Sequence, residues 1–251
     1  MKSTVAWVVG AILAFFVLLV IYLPANQVIG RLQLPSNITI YGISGTLWQG
    51  KAQQVDINGL PVANLQWQVK PLALLMGRLS LVVKGGNSRD PQAISFAGPV
   101  STGLFSYQRI QASDFTLYLP VDSVLAQVSL PLPVNASGRF RSIIDSLDYD
   151  GQCKTLKGTG SWLNAAVAGT QGPIDFGTYT AALSCAQGDF VIQVKEPNML
   201  GLSMQATVGN EFNRFAVDGQ FKPAETLPEE VHQAARLFGQ PQADGYTHFS
   251  L

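Results

Sequence analysis

Asn64-Leu65-Gln66-Trp67-Gln68-Val69-Lys70 alternates apolar and polar residues without a break. Successive side chains of a strand point to opposite faces, so this is the pattern of a half-buried β-strand. Arg78-Leu79-Ser80-Leu81-Val82-Val83-Lys84 follows a similar rhythm, as do Asp114-Phe115-Thr116-Leu117-Tyr118-Leu119 and Val191-Ile192-Gln193-Val194-Lys195. Phe212, Ala216 and Phe221 predict a further pair of strands around a turn at Asp218-Gly219. The chain spreads 24 glycines and 14 prolines along its 251 residues, which suits many short strands joined by turns. The predicted fold class is mainly β: a large antiparallel, curved sheet with short capping helices and one C-terminal helix, preceded by a membrane helix.

Between the strands at 64–70 and 78–84 lies Pro71-Leu72-Ala73-Leu74-Leu75-Met76-Gly77. Proline opens it and glycine closes it, which predicts a helical turn whose leucines plug the end of the sheet. Pro120-Val121-Asp122-Ser123-Val124-Leu125-Ala126 reads as a second capping helix. Near the C-terminus, Thr226-Leu227-Pro228-Glu229 fits a capping box with Thr226 as N-cap. Val231, Ala234, Ala235 and Phe238 then share one helical face, and Gly239 with Pro241 ends the element. The tail from Gly245 to Leu251 alternates again and reads as a last strand or a solvated tail.

Further out, Val5–Leu23 holds no charged residue. As a helix this run is ~28 Å long, against a hydrocarbon core of roughly 30 Å. Trp7 and Tyr22 stand near its two ends, where amphipathic rings favour the headgroup zone. The apolar core is longer than that of a cleaved leader, and Leu23-Pro24-Ala25-Asn26-Gln27 has no small-x-small cleavage pattern. The reading is an uncleaved signal-anchor at 5–23. Lys2 and the terminal amine favour the cytoplasm for residues 1–4 and the far side of the membrane for 24–251.

Formal net charge is 0 and charged residues make up 13%, which gives no reason to expect nucleic acid as a partner. Cys153 and Cys185 both lie in the exported part. An even pair in an oxidising compartment predicts one disulfide, with two buried free thiols as the alternative. No P-loop, H-E-x-x-H or G-x-S-x-G is present, and the two histidines, His232 and His248, both read as surface residues. Asp148-Tyr149-Asp150-Gly151 has a faint likeness to a calcium loop but lacks its remaining oxygen ligands, so it reads as a polar turn. The expectation is no enzyme activity, no cofactor, no metal and no small-molecule substrate.

One stretch carries a signature: Gly42-Ile43-Ser44-Gly45-Thr46-Leu47-Trp48-Gln49-Gly50-Lys51-Ala52, then Leu65-Gln66-Trp67, then Pro71-Leu72-Ala73-Leu74-Leu75-Met76-Gly77. It resembles the type II secretion system protein N family of Gram-negative bacteria. The signature residues Gly42, Gly45, Thr46, Leu47, Trp48, Gly50, Trp67, Pro71, Leu74, Leu75 and Gly77 are expected to be core residues of the fold. Trp48 and Trp67 are expected on one sheet face, from neighbouring strands. The resemblance implies a single-pass inner-membrane protein with a periplasmic β domain. Its partners would be other inner-membrane components of the machine that exports folded proteins. The motif region also looks like parts of bridge-like lipid transfer proteins, which implies an alternative: a groove in which Leu65, Trp67, Leu79, Leu81 and Val83 face lipid. A two-part sheet with a break near 130–134 is a further expectation. It rests on Leu130-Pro131-Leu132-Pro133 and on the echo of Gly45-Thr46-Leu47-Trp48 in Gly158-Thr159-Gly160-Ser161-Trp162.

Overall fold

A computed structural model describes residues 2–31, 37–106, 108–126, 135–210 and 214–250. The alternating stretch lies in β4 (Leu60–Val69): Leu65, Trp67 and Val69 are half-buried, while Gln66 and Gln68 are exposed. The alternation begins at Leu65 for a physical reason. Asn64 has φ 53°, a left-handed residue inside the strand, so Ala63 and Asn64 both face solvent and the inward face is reset. Asparagine and aspartate tolerate this conformation best among residues with a Cβ.

The other strands are β1 (Ile38–Tyr41), β2 (Ser44–Gly45), β3 (Gln49–Ile57), β5 (Arg78–Gly85), β6 (Ser95–Gly103), β7 (Arg109–Pro120) and β8 (Ala136–Asp150). They continue as β9 (Cys153–Gly169), β10 (Gly172–Ala186), β11 (Asp189–Val194), β12 (Ser203–Val208), β13 (Phe215–Phe221) and β14 (Thr247–Ser250). All 14 belong to one sheet, and apart from β2, which pairs with β3, each strand pairs with its neighbours in the chain. Every ladder is antiparallel. A sheet this wide cannot stay flat, because twist accumulates from strand to strand. Asp114 in β7 (φ 48°) and Asn164 in β9 (φ 50°) repeat the device of Asn64. The segment 130–134, where a break was expected, lies outside the described residues. The strands on either side of it, β7 and β8, pair from Arg109 with Asp150 to Pro120 with Arg139.

Short helices sit at the sheet ends: α2 (Ala25–Ile29), α3 (Pro71–Leu75), α4 (Val121–Leu125) and α5 (Glu229–Ala235), the last followed by a 3-10 turn at Arg236–Phe238. α4 caps the sheet as its sequence implied, with Val121 fully buried. α3 forms where predicted, with Pro71 in its first turn and Gly77 at φ 69°, but its leucines do not plug the sheet. Ala73 alone is buried, Leu74 is half-buried, and Leu72 and Leu75 are exposed. α5 starts at Glu229 with Pro228 before it and makes no side-chain cap, so Thr226 is not the N-cap. Glu230 instead accepts the amide of Thr170 at 2.9 Å, tying α5 to the β9–β10 hairpin.

Asp218-Gly219 is not a turn: β13 runs straight through it, and Phe212 lies outside the described residues. Glycine is there for proximity, since a Cβ on Gly219 would stand 2.7 Å from Met204 Cβ and 2.9 Å from Phe249 Cζ. The two Gly-Thr…Trp stretches are not equivalent either, because Thr46–Trp48 forms a turn and Gly158–Trp162 lies within β9. Cys153 and Cys185 form a disulfide with Cα atoms 5.6 Å apart. It rejoins β9 and β10 beyond Gly158 and Leu183, where their ladder stops. A buried arginine fastens the opposite ends of the strands: Arg139, at the start of β8, donates to the carbonyls of Ser88 and Ala93 and to Ser95 Oγ, with its guanidinium over the Tyr118 ring.

The N-terminal segment is a helix, α1 (Lys2–Ile21). Every described residue from Trp7 to Tyr22 is exposed. Taking the described side chains alone, which leave out Lys2–Ala6, Val9 and Leu13, no helix is long and apolar enough to cross a membrane.

Candidate functional site: the joint between helix and sheet

The last carbonyls of a helix have no partner within it. At the end of α1 they find partners in two places. Tyr22 N–H donates to Leu18 O at 2.9 Å and Leu23 N–H to Val20 O at 3.4 Å, closing the last turn. The sheet adds further bonds at the helix end and just beyond it. Trp48 Nε1–H donates to Val20 O at 2.8 Å, Leu47 N–H donates to Leu23 O at 2.9 Å, and Pro24 forms an antiparallel bridge with Thr46. These donors stand at the negative end of the helix dipole, where their polarity is favoured.

The signature sequence builds this clasp. Gly45 takes φ 89°, and a Cβ there would lie 2.7 Å from Gln49 O. Thr46 N–H donates to that same oxygen at 2.9 Å, and its Oγ1 accepts the Gln49 amide at 3.1 Å. The result is a tight turn with Leu47 and Trp48 at its crest. From the other side, Trp67 Nε1–H donates to Leu47 O at 3.1 Å, and Val69 N–H donates to Trp48 O at 2.7 Å. The Trp67 ring lies over Gly50, where any Cβ would collide with it. Gly42 (φ 65°) packs against the Gln53 side chain. Gly45, Thr46, Leu47, Trp48, Gly50 and Trp67 therefore meet in one joint, whereas Gly42 packs outside it. Trp48 does not stand beside Trp67 on a sheet face, because it sits in the turn. The two indoles are connected through the Leu47 backbone. Pro71, Leu74, Leu75 and Gly77 follow in and just after α3, which starts two residues beyond Val69.

The joint holds and orients; its groups do no proton or electron chemistry. Elsewhere, charged side chains pair with one another. Asp148 receives Arg109 Nη2–H at 2.6 Å and Arg109 Nε–H at 3.0 Å. This hydrogen bonding holds its carboxyl below the usual carboxylate range and raises the guanidinium further. Asp150 pairs with Lys154 at 2.6 Å, so the carboxylates that faintly suggested calcium face cations. His248 is exposed on β14 and His232 lies half-buried on α5. Among the described residues no group of potential metal ligands converges.

A second feature lies under α5. Trp162, Phe176, Tyr179, Phe221, Val231 and Phe238 line a cleft of about 340 Å³. Its floor is the main core cluster of Ala165, Phe176, Tyr179, Val194 and Leu227. The Tyr179 hydroxyl is buried with no hydrogen bond among the described residues. Burial pushes its ionisation up to about 12, with a smaller opposing pull from the backbone of Leu200. Sequence reasoning found Val231, Ala234, Ala235 and Phe238 as one face but not the cleft, whose lining comes from strands far apart in the chain. Leu65, Trp67, Leu79, Leu81 and Val83 are all half-buried, on a sheet that no second sheet covers among the described residues.

Comparison with known proteins brings these features under one heading. Residues 36–250 match the family described as type II secretion system (T2SS), protein N. The chain is similar to a type II secretion system protein N of Vibrio cholerae serotype O1, 29% identical over 239 residues, 92% of this chain and 90% of that protein. It is similar to proteins of the same description from Aeromonas hydrophila, 26% identical over 98% of this chain and 96% of the relative, and from Pectobacterium carotovorum, 23% identical over 98% and 95%. No solved structure matches it. The match runs from just before β1 to the end of β14 and takes in the sheet side of the clasp, so the chain belongs to the type II secretion system protein N family.

Proposed function

We propose that this protein is a non-enzymatic accessory and assembly component of type II secretion. In this reading α1 crosses the inner membrane, residues 1–4 are cytoplasmic and the sheet stands in the periplasm, where it contacts other inner-membrane components of the machine. The observation that carries the reading is the joint. A helix whose described side chains from Trp7 to Tyr22 are all exposed is held at one end by two residues of the family signature, Leu47 and Trp48, which donate to the carbonyls of Leu23 and Val20, as a tether is held by a scaffold. An apolar rod of this size exposed to water is unfavourable, whereas a bilayer accepts it with all its main-chain groups bonded internally. The disulfide supports an oxidising compartment for the sheet. Deleting the gene is expected to reduce exoprotein release into the medium, with restoration by the intact chain. Release that is unchanged under inducing conditions counts against the role. An alkaline phosphatase fused after β14 is expected to be active, and an inactive fusion of normal abundance reverses the topology.

The cleft under α5 and the uncovered stripe from Leu65 to Val83 favour a second reading, in which the sheet binds lipid. Native mass spectrometry of the detergent-purified chain discriminates: a protein free of any co-purifying lipid removes this reading.

A further inference from the structure

α1 leaves the sheet at one particular end. Trp48, Val69 and α3 mark that end on β3 and β4, and the antiparallel order brings the start of β5, the end of β6 and the start of β7 to it as well. Backbone bonds connect the series directly: Val69 N–H to Trp48 O, Lys70 N–H to Ser80 O, and Leu104 N–H to Gly77 O at 3.0 Å. This end carries a run of large apolar side chains turned out to solvent. Leu72 is 74% exposed, Leu75 85%, Met76 67%, Leu104 46% and Phe105 94%. A proline-opened helical turn and a short loop deliver them; of the α3 leucines only Leu74 is half-buried, so Leu72, Leu75, Met76 and Phe105 contribute little to packing within the fold. Lys70 and Arg78 flank α3, both exposed and without an ion pair among the described residues. From β3 to β7 the series spans roughly 20 Å at the spacing of paired strands. Phe215, exposed at the start of β13, is excluded because twist of ~20–25° per strand turns that distant strand away.

We infer that Leu72, Leu75, Met76, Leu104 and Phe105 form an apolar rim that seats this end of the sheet in the lipid interface of the bilayer that α1 crosses. The inference rests on the reading of α1 as a membrane span. The clasp fixes the rim beside the exit of α1, so membrane insertion of the helix brings the rim to the headgroup boundary. There, leucine and phenylalanine are buried among acyl chains and Lys70 and Arg78 meet lipid phosphates. The pattern of apolar tips with flanking basic residues suits a bilayer surface better than a protein partner, whose interface would pair the two free cations with carboxylates.

The test uses the full chain with its disulfide intact, reconstituted in vesicles of phosphatidylethanolamine and phosphatidylglycerol. One cysteine at a time is added and labelled with an environment-sensitive fluorophore: Phe15→Cys in α1, Leu75→Cys and Phe105→Cys in the rim, and Arg89→Cys in the loop at the opposite end of β5. Lipids carrying a nitroxide at shallow or deep positions are the quenchers. The expected result is strong deep quenching at 15, strong shallow quenching with blue-shifted emission at 75 and 105, and neither at 89. Quenching at 15 without quenching at 75 and 105 overturns the rim and leaves the anchor standing, which transfers these residues to a protein contact. Equal quenching at 105 and 89 also overturns it, because the sheet would then lie flat. Absence of quenching at 15 removes the anchor reading and the rim with it.

Discussion

The indole N–H of Trp48 donates to the main-chain carbonyl of Val20 at 2.8 Å, across 28 residues of chain. That bond and the one from Leu47 to Leu23 turn a flexible exit from α1 into a fixed one. Trp48→Phe keeps the ring area and removes the donor. It is expected to destabilise the joint by about 1 kcal/mol, the net worth of a typical hydrogen bond. Hydrogen exchange should show faster exchange at Leu23 and Leu47 with the rest of the sheet unaffected. Equal protection in the variant would detach the indole from the joint.

Gly50→Ala tests the packing of the clasp. Its Cβ would collide with the Trp67 ring, which is also bonded to Leu47 O, so relief must displace the clasp. A loss of roughly 1–3 kcal/mol is expected, as for overpacking elsewhere. Gly160→Ala is the control: its Cβ would meet Leu183 and Ala181 at ordinary contact, 3.6 and 3.7 Å. Denaturant midpoints compare the two.

Tyr179 gives the fold an alkaline limit. Its hydroxyl ionises at about 12 in the folded protein, against 10.0 for a free tyrosine. The folded state therefore holds the proton more tightly than the unfolded chain. Its contribution is complete below pH 10 and is lost between pH 10 and about 12. Tyr179→Phe removes both this dependence and a buried hydroxyl that makes no hydrogen bond among the described residues beyond the weak pull of the Leu200 backbone. Stability at neutral pH is expected to be unchanged or to rise by up to about 1 kcal/mol. Chemical denaturation from pH 8 upward measures both effects.

Asp148 acts at the acidic end. Its ionisation lies below the ordinary carboxylate value because of Arg109, so the stability it contributes is present above that value and is lost as pH falls through the folded-state value. Asp148→Asn should flatten the acid limb of the stability profile by lowering the neutral region slightly toward it, a small effect because Arg109 is exposed and solvent screens the pair. A variant with the acid limb of the parent would assign that limb to other carboxylates.

The disulfide closes a separation of 32 residues. Replacing both cysteines by serine is expected to cost roughly 3–4 kcal/mol on the chain-entropy model. Thermal unfolding with and without reductant reads this: reductant should lower the parent's midpoint to that of the double variant.

Strands were the legible part of this fold. Leu65, Trp67 and Val69 alternate in sequence and in burial, because the period of a strand is local. The clasp was not legible. Leu47 and Trp48 look like core residues until their N–H groups are traced to the carbonyls of Leu23 and Val20, at and just beyond the end of a helix more than twenty residues upstream. Gly219 was misread because a glycine needed for close approach to Met204 and Phe249 looks the same in sequence as one needed for a turn. Leu72 and Leu75 were assigned to the interior by composition, but the helix that carries them buries only the face of Ala73. Arg139 gave no signal at all, since an arginine in an alternating strand reads as solvated until its acceptors, the carbonyls of Ser88 and Ala93, are in view.

The sheet order has a consequence for how the molecule comes into being. Every ladder but that of β1 joins neighbours separated by one hairpin or one short excursion, so each strand finds its template in the segment made just before it. Growth can run in one direction from the clasp, each new hairpin docking on an edge already formed, with no need to wait for distant chain. The helix end and its clasp, being first, serve as the seed on which the rest is laid.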